Sequence, residues 1–204
     1  MLELKKKYKS GSAAEILREA ILTGDIPEGI SMTQNEIAES LGTSRMPVRE
    51  ALISLEYQGL ITRGSNQHVH VVSVNDEYIH AVFNDMALLE IEAIKDMTRE
   101  NIIMLSESES QIGFHRMICA CTEAPLRKKM LEIFTEVYSS FLIEHSGNVN
   151  QIDDVFMNLK KAVNEYADNT DYAHMEVIRS CYAVYSEVLS RELIRIRTKT
   201  RNET

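Results

Sequence analysis

The chain of 204 residues is long enough for two small domains, and its 44% hydrophobic and 26% charged residues are typical of a soluble globular protein. No apolar run approaches the roughly 18–20 residues of a membrane span, and no apolar leader follows the basic N-terminus, so a cytoplasmic protein without a membrane contact is expected. The net charge of −9 is uneven, with −1 in residues 1–74 and −8 in residues 75–204, which leaves room for a local basic face near the N-terminus.

Two capped helices are predicted in the first 42 residues. Apolar residues at helical spacing fill 12–23, and Ser12 and Glu15 have the spacing of a capping box. Glycines and a proline then break the helix. Thr33 and Glu36 repeat the capping pattern before a second, shorter apolar stripe. The spacing therefore predicts two helices separated by a loop.

A third helix and a hairpin follow. After a short turn that begins at Gly42, Ser44 can cap a helix with Pro47 in its first turn, where a missing N–H is harmless, and Gly59 ends it. Residues 60–74 then alternate like two short strands around a turn. Two helices joined by a tight turn and followed by a hairpin are typical of a winged helix-turn-helix.

From Asn75 onward no strand pattern is found. The apolar spacing predicts an all-α helical bundle, with the domain boundary at the end of the hairpin. We therefore expect a mainly α protein, with a winged helix-turn-helix domain (three helices plus a β-hairpin wing) in residues 1–74 and the bundle in residues 75–204. The expected bundle helices begin at Asn75 and then cover about 99–121, 125–145, 151–168 and 170–198.

The third helix has the features of a DNA recognition helix. Arg45 and Arg49 are four residues apart and share one face, and arginine is the commonest reader of guanine in the major groove. The alternative is that both arginines pair with Glu36 or Glu50 on a solvated face. The expected DNA contacts come from the second helix, the recognition helix and the wing tip: Thr33, Gln34, Asn35, Ser44, Arg45, Met46, Pro47, Arg49, Ser65, Asn66 and Gln67. The wider basic face would add Lys5, Lys6, Lys7, Lys9 and Arg63.

The same residues resemble the GntR family of regulators. The resemblance is densest in SRMPVREAL, residues 44–52, and continues in LEYQGLI, residues 55–61. It implies a homodimer that binds a short palindromic operator in double-stranded DNA, usually as a repressor, with the wing tip in the minor groove. Where the family usually carries a wing glycine, this chain has Ser65, Asn66, Gln67 and His68.

The C-terminal part resembles the FadR-like (FCD) branch of that family. Phe114 and His115, followed by the Ala124-Pro125 dipeptide, are similar to a Phe-His pair and a later Asn-Pro dipeptide in that branch. The resemblance implies a ligand-sensing helical domain, here shortened between Glu90 and His115.

Many members of that branch hold a metal ion, but the matching positions have changed here. Gln111, Lys160 and Tyr182 stand where the resemblance implies metal ligands, and Met86 replaces a pocket arginine, so His115 alone remains. One imidazole with an amide, an ammonium and a phenol is not a plausible zinc or nickel site. We expect no metal and no cofactor. Three cysteines without CxxC spacing are expected to be free thiols: Cys119, Cys121 and Cys181.

Two roles remain open for the bundle. In the first, a pocket binds a small organic acid, with Lys160 as the countercharge. In the second, His115 is hydrogen-bonded in the interior and the bundle only dimerises. An enzyme is not expected, because no nucleophile set, phosphate loop or paired-carboxylate motif is found. The residues of the candidate pocket are Met86, Gln111, His115, Tyr138, Lys160 and Tyr182.

Overall fold

The computed structural model describes residues 4, 8, 11–64, 68–147 and 149–203. They divide into two compact units, one of residues 1–75 with 196–204 and the other of residues 76–195. Residues 196–204, which end the expected bundle of residues 75–204, group with the N-terminal unit. The physical reason lies in Arg197, whose guanidinium bonds to backbone carbonyls of the first helix.

The N-terminal unit has the predicted three helices and hairpin, with one additional short strand. Both predicted capping boxes are confirmed, Ser12 with Glu15 and Thr33 with Glu36. Gly42 ends the second helix at φ +60°, in the left-handed region that glycine enters without strain. The elements are α1 (Ala13–Thr23), β1 (Ser31–Met32), α2 (Gln34–Leu41), α3 (Arg45–Tyr57), β2 (Ile61–Arg63) and β3 (Val69–Val71).

The sheet of this unit is small and antiparallel, in the order β1-β3-β2. Thr62 of β2 and Ser31 of β1 both pair with His70 in the central strand. The helices pack through their predicted apolar faces, with α1 against α3 and α2 against α3. Leu17 and Leu52 are among the side chains buried in this core. The core therefore holds α3 firmly while its opposite face stays in solvent.

The second unit is helical throughout its described residues. The predicted run of residues 99–121 is broken in two, and the run of residues 125–145 contains a π-helical segment, Phe134–Ser139. The α-helices are α4 (Asp76–Lys95), α5 (Arg99–Ser106), α6 (Gln111–Cys121), α7 (Pro125–Ile133), α8 (Ser140–His145), α9 (Val149–Asp168) and α10 (Tyr172–Glu203), of which α10 ends in the N-terminal unit. The mainly α fold is confirmed. None of the helices described here combines the length and the apolar character that a membrane span requires.

Candidate functional site

The N-terminal end of α3 is exposed and open. Ser44 takes the extended N-cap conformation, but its side chain makes no capping hydrogen bond, and the first turn carries no acidic residue. In α1 and α2, by contrast, the N-cap hydroxyl accepts a backbone N–H. The first N–H groups of α3 and the Ser44 hydroxyl are therefore left to face solvent at the positive end of the helix dipole. Such an end attracts anions, phosphate groups among them.

Arg45 and Arg49 are both exposed on this end of α3. Arg45 Nη1 donates to Asn35 Oδ1 at 3.4 Å, which places the start of α2 beside the start of α3. The predicted alternative of ion pairs with Glu36 or Glu50 is not found. Glu36 Oε2 instead accepts the Thr33 N–H at 2.7 Å, and this bond lowers the pKa of the Glu36 carboxyl. Within the described ranges, neither guanidinium has a carboxylate at ion-pair distance.

The other residues expected to contact DNA differ in exposure. Asn35 is exposed, and Met46 is 62% exposed although it is apolar. Gln34 and Pro47 are half-buried. The hydroxyl of Thr33 is already engaged in the capping box, because it donates to Glu36 Oε2 at 2.8 Å. The Thr33 hydroxyl is therefore less available to a phosphate than the Ser44 hydroxyl, which makes no capping hydrogen bond.

The described part of the wing includes Arg63 and the base of the turn. Arg63, expected on the basic face, forms an ion pair through Nε with Glu56 Oε2 of α3 at 2.8 Å, so part of its charge is compensated there. At the base of the turn, the Gly64 N–H donates to the His68 carbonyl at 2.9 Å. The expected contacts of the wing tip and of the N-terminal lysines lie outside the described residues: Ser65, Asn66, Gln67, Lys5, Lys6, Lys7 and Lys9.

The second unit contains a buried polar network between α4, α6 and α10. Glu90 and His115 are both 0% exposed, and Glu90 Oε1 lies 2.7 Å from His115 Nδ1. Tyr182 donates to the other carboxylate oxygen at 2.8 Å. The second imidazole nitrogen, Nε2, lies 3.0 Å from the Tyr185 hydroxyl, which donates to Gln111 Oε1 at 3.1 Å. Every polar group at the centre of this network therefore has a partner.

The donor and the acceptor of these hydrogen bonds can be assigned by starting from Gln111, at the edge of the network. Gln111 Nε2 donates to Asp153 Oδ1 at 2.7 Å, so its Oε1 faces Tyr185 as an acceptor. Since the Tyr185 hydroxyl donates to Gln111, its oxygen accepts from His115 Nε2–H. One further proton is then shared between His115 Nδ1 and Glu90. Burial, with the charge of Glu90 adding to it, raises the pKa of both Tyr182 and Tyr185, so the two phenols stay protonated donors.

Three residues of the candidate pocket make other contacts. Lys160, the expected countercharge, donates to the Ser108 carbonyl at 2.5 Å, so its charge is engaged at the end of α5. Tyr138 shares a hydroxyl hydrogen bond of 2.5 Å with Tyr78. Met86 accepts a contact of 3.4 Å from the Ser139 hydroxyl. The structure thus brings Gln111, His115 and Tyr182 together, and leaves Lys160, Tyr138 and Met86 in other surroundings.

Sequence reasoning missed Glu90 and Tyr185 as members of this network. Glu90 stands on the buried stripe of α4 between Met86 and Ile94. Tyr185 follows Tyr182 by three residues, on the same buried face of α10. A carboxylate on an apolar stripe was the signal that could have found the network, since a buried charge needs a partner.

The described residues offer no metal centre, because no group of three or more His, Cys, Asp or Glu side chains in them is placed to hold an ion. Cys119, Cys121 and Cys181 are free. A cavity of about 610 Å³ between α9 and α10 contains none of the candidate pocket residues; its lining includes Val155, Ala162, Val177, Cys181 and Val184.

The N-terminal part of the chain is similar to known regulatory proteins. Residues 9–71 match the family model described as bacterial regulatory proteins, gntR family. Over 56 residues, the chain is 43% identical to an uncharacterized HTH-type transcriptional regulator of Mycobacterium tuberculosis, covering 28% of this chain and 22% of that protein. The chain thus spans about a fifth of the length of this curated relative.

Two solved structures share the fold over most of the chain. One is Lar, described as controlling the expression of the Listeria monocytogenes agr system, with a TM-score of 0.62 and 16% identity over 90% of this chain and 95% of that chain. The other is E. coli McbR/YncC, with a TM-score of 0.54 and 18% identity over 96% of this chain and 99% of that chain. At these identities the likeness concerns the fold alone.

Proposed function

We propose that this chain, a regulator of the GntR family by its N-terminal domain, binds a palindromic operator in double-stranded DNA as a homodimer and acts as a cytoplasmic repressor without enzymatic activity. The observation that carries the proposal is the open end of α3, where Arg45 and Arg49 are exposed and form no ion pair with a described carboxylate. Two exposed guanidinium groups beside an uncapped helix start can bind the phosphates and the base edges of a duplex groove.

Each group at this end has a defined task in the proposal. Arg45, at the first helical position, reaches the floor of the major groove and donates to guanine O6 and N7. Arg49, one turn later, contacts the phosphate backbone beside it. The Ser44 hydroxyl and the first N–H groups of α3 bind a phosphate, and Met46 supplies apolar contact to the bases.

The geometry of DNA supports the proposal that two copies of the chain bind together. One recognition helix reads one short half-site, so a single copy discriminates poorly between sequences. Two copies related by a two-fold axis present two α3 helices to successive major grooves, about 34 Å apart, and the operator then mirrors that symmetry. Occupation of such a site beside a promoter blocks transcription, which makes repression the simplest outcome.

The experiment uses duplexes that the wild-type chain enriches from a random pool. With the best duplex, Arg45→Ala should weaken specific binding by about 1–3 kcal/mol per half-site while binding to unrelated DNA changes little. Arg49→Ala should weaken binding to all sequences and lower the slope of log affinity against log salt by about 1. Fluorescence anisotropy at several salt concentrations measures both quantities.

The control is Arg116→Ala, since Arg116 is also exposed but pairs with Glu136 in the second unit. Its affinity and salt slope should equal those of the wild type. Failure of the wild-type chain to enrich any duplex, or an Arg45→Ala variant that keeps full sequence discrimination, would contradict the proposal.

A second proposal concerns the bundle, which we infer to dimerise without sensing a ligand. The closed network favours it, because Glu90, His115, Tyr182 and Tyr185 satisfy one another. An organic acid entering there would meet a buried carboxylate, while Lys160 is bound to the Ser108 carbonyl. A carboxylate ligand needs a cation or several free donors, and the network offers neither.

A thermal-shift screen separates this inference from release or tuning by a small organic acid. Small mono-, di- and tricarboxylates are added to the full chain, with sodium chloride of equal ionic strength as the reference. A specific ligand at 100 times its Kd would stabilise the folded state by about 2.7 kcal/mol, enough for a clear rise in Tm. We expect no acid to exceed the salt reference. A rise that His115→Ala abolishes would instead identify the network as an effector site.

A further inference from the structure

The C-terminal end of α1 is held by residues from both ends of the chain. Tyr8 donates to Asp25 Oδ2 at 2.5 Å, and its hydroxyl lies 3.3 Å from Thr23 Oγ1. Arg197, near the end of α10, donates from Nη1 to the carbonyls of Ile21 and Leu22, both at 2.7 Å. The last turn of α1 is therefore completed by side chains that lie outside the helix itself.

The groups around Arg197 explain why this side chain is buried. Its residue surface is 5% exposed, which is rare for an arginine without compensating bonds. The last carbonyls of a helix lack partners within the helix and carry the negative end of its dipole, so a guanidinium satisfies them and is itself stabilised there. Gly24 follows this turn at φ +87°, in the left-handed region that glycine enters without strain, and a Cβ at this position would lie at ordinary contact distance, 3.6 Å, from Nη2.

The end of α1 matters for DNA because α1 supports α3. The two helices pack against each other, and Arg18 Nε of α1 donates to Gln58 Oε1, just after α3, at 3.1 Å. A displacement of the last turn of α1 therefore changes the surface on which α3 rests. Arg197 acts on α3 through α1 and faces away from solvent, which distinguishes it from Arg45 and Arg49.

We propose that Arg197 is a positioning residue of the DNA-binding unit: it clamps the carbonyl end of α1 and thereby fixes the recognition helix. The proposal rests on the proposed DNA-binding function. It also implies that Arg197, although far from α3 in the sequence, is required for that function.

The test compares Arg197→Ala, Arg197→Lys and the control Arg191→Ala in the full chain. Arg191 lies on the same helix but is exposed and pairs with Glu187. Amide hydrogen exchange reports the opening of α1 and α3, and anisotropy with the enriched duplex reports affinity at several salt concentrations. All measurements are made well below the melting temperature of every variant, so that loss of folded protein does not contribute.

We expect Arg197→Ala to speed exchange in the last turn of α1 and to lower operator affinity roughly 10-fold, which is about 1.4 kcal/mol. Its salt slope should stay that of the wild type, because Arg197 touches no phosphate. Arg197→Lys, which keeps the charge and one donor group, should recover part of the affinity. Arg191→Ala should match the wild type in both measurements.

Three results would overturn the proposal. Unchanged exchange in α1 would show that Arg197 does not clamp this helix. Unchanged affinity despite faster exchange would show that Arg197 does not position the recognition helix. A salt slope lowered by about 1 in Arg197→Ala would make Arg197 a direct DNA contact. If the wild-type chain binds no duplex, the proposed function fails, while the exchange comparison still decides whether Arg197 clamps α1.

Discussion

The two units of this chain use similar polar side chains in opposite ways. In the N-terminal unit, Arg45 and Arg49 point into solvent beside an uncapped helix end. In the second unit, Glu90 and His115 point inward and bond to each other at 2.7 Å. An exposed guanidinium keeps its hydration and can exchange it for a phosphate or a base, whereas a buried carboxylate and imidazole must be satisfied within the protein. The first arrangement is open to a partner, and the second is closed.

The largest effect should come from opening the closed region. In Glu90→Ala, His115 Nδ1 loses its hydrogen-bond partner and Tyr182 loses the acceptor of its hydroxyl. Removing one partner of a buried pair typically costs about 3–5 kcal/mol, because the other is left buried and unpaired. We expect urea unfolding, followed by tyrosine fluorescence, to show a loss of this size in the free energy of unfolding.

Glu136→Ala is the matched control. Glu136 also pairs with a cation, but it and Arg116 are each more than half exposed, at 52% and 59% of the side chain. Exposed pairs contribute about 0–1 kcal/mol, so this variant should stay close to the wild type. Equal effects of the two substitutions would mean that the network of the second unit is hydrated, and the contrast between the two units would be lost.

The parts that sequence predicted well depend on neighbours in the chain. The capping boxes at Ser12 and Thr33 use partners three residues away, and the bounds of α3 follow from its apolar spacing and flanking residues. The short strand β1 was missed because two residues carry no alternation, and its partner His70 lies 39 positions beyond Ser31. Patterns between neighbouring residues therefore predict the helices and their caps, whereas a strand as short as β1 depends on a partner that is distant in the sequence.

The candidate pocket shows the same limit. His115 was expected to be either a pocket residue or a hydrogen-bonded interior residue, and the structure gives it two bonded partners, Glu90 and Tyr185. Residue type alone could not select these partners, because they lie 25 and 70 positions away. Lys160 was expected to supply charge to the pocket, but the Ser108 carbonyl lies within its reach and binds it.

A smaller effect should follow when one hydroxyl is removed from the network. In Tyr185→Phe, His115 Nε2 loses its acceptor and Gln111 Oε1 loses its donor. Leaving buried polar groups without partners costs about 1–3 kcal/mol, so the free energy of unfolding should fall by that amount. Operator affinity should be unchanged at temperatures where the variant is folded.

Tyr172→Phe serves as its control, because Tyr172 is 80% exposed and loses only contact with water. Its unfolding curve should superimpose on that of the wild type. If Tyr185→Phe unfolds like Tyr172→Phe, a water molecule replaces the hydroxyl readily, and the centre of the second unit is more open than the hydrogen bonds indicate.

The smallest effect should be a pH dependence in the N-terminal unit. Bonds from the Thr33 N–H and hydroxyl lower the pKa of Glu36, so its carboxylate stabilises α2 above the unfolded pKa of about 4.3, and this stabilisation is lost as pH falls through the lower folded value. The Tm difference between the wild type and Glu36→Ala should therefore be largest near neutral pH and shrink below about pH 4. A constant difference for Glu36→Ala would mean that the capping bond does not depend on ionisation, and the contrast between a capped α2 and an open α3 would then rest on geometry alone.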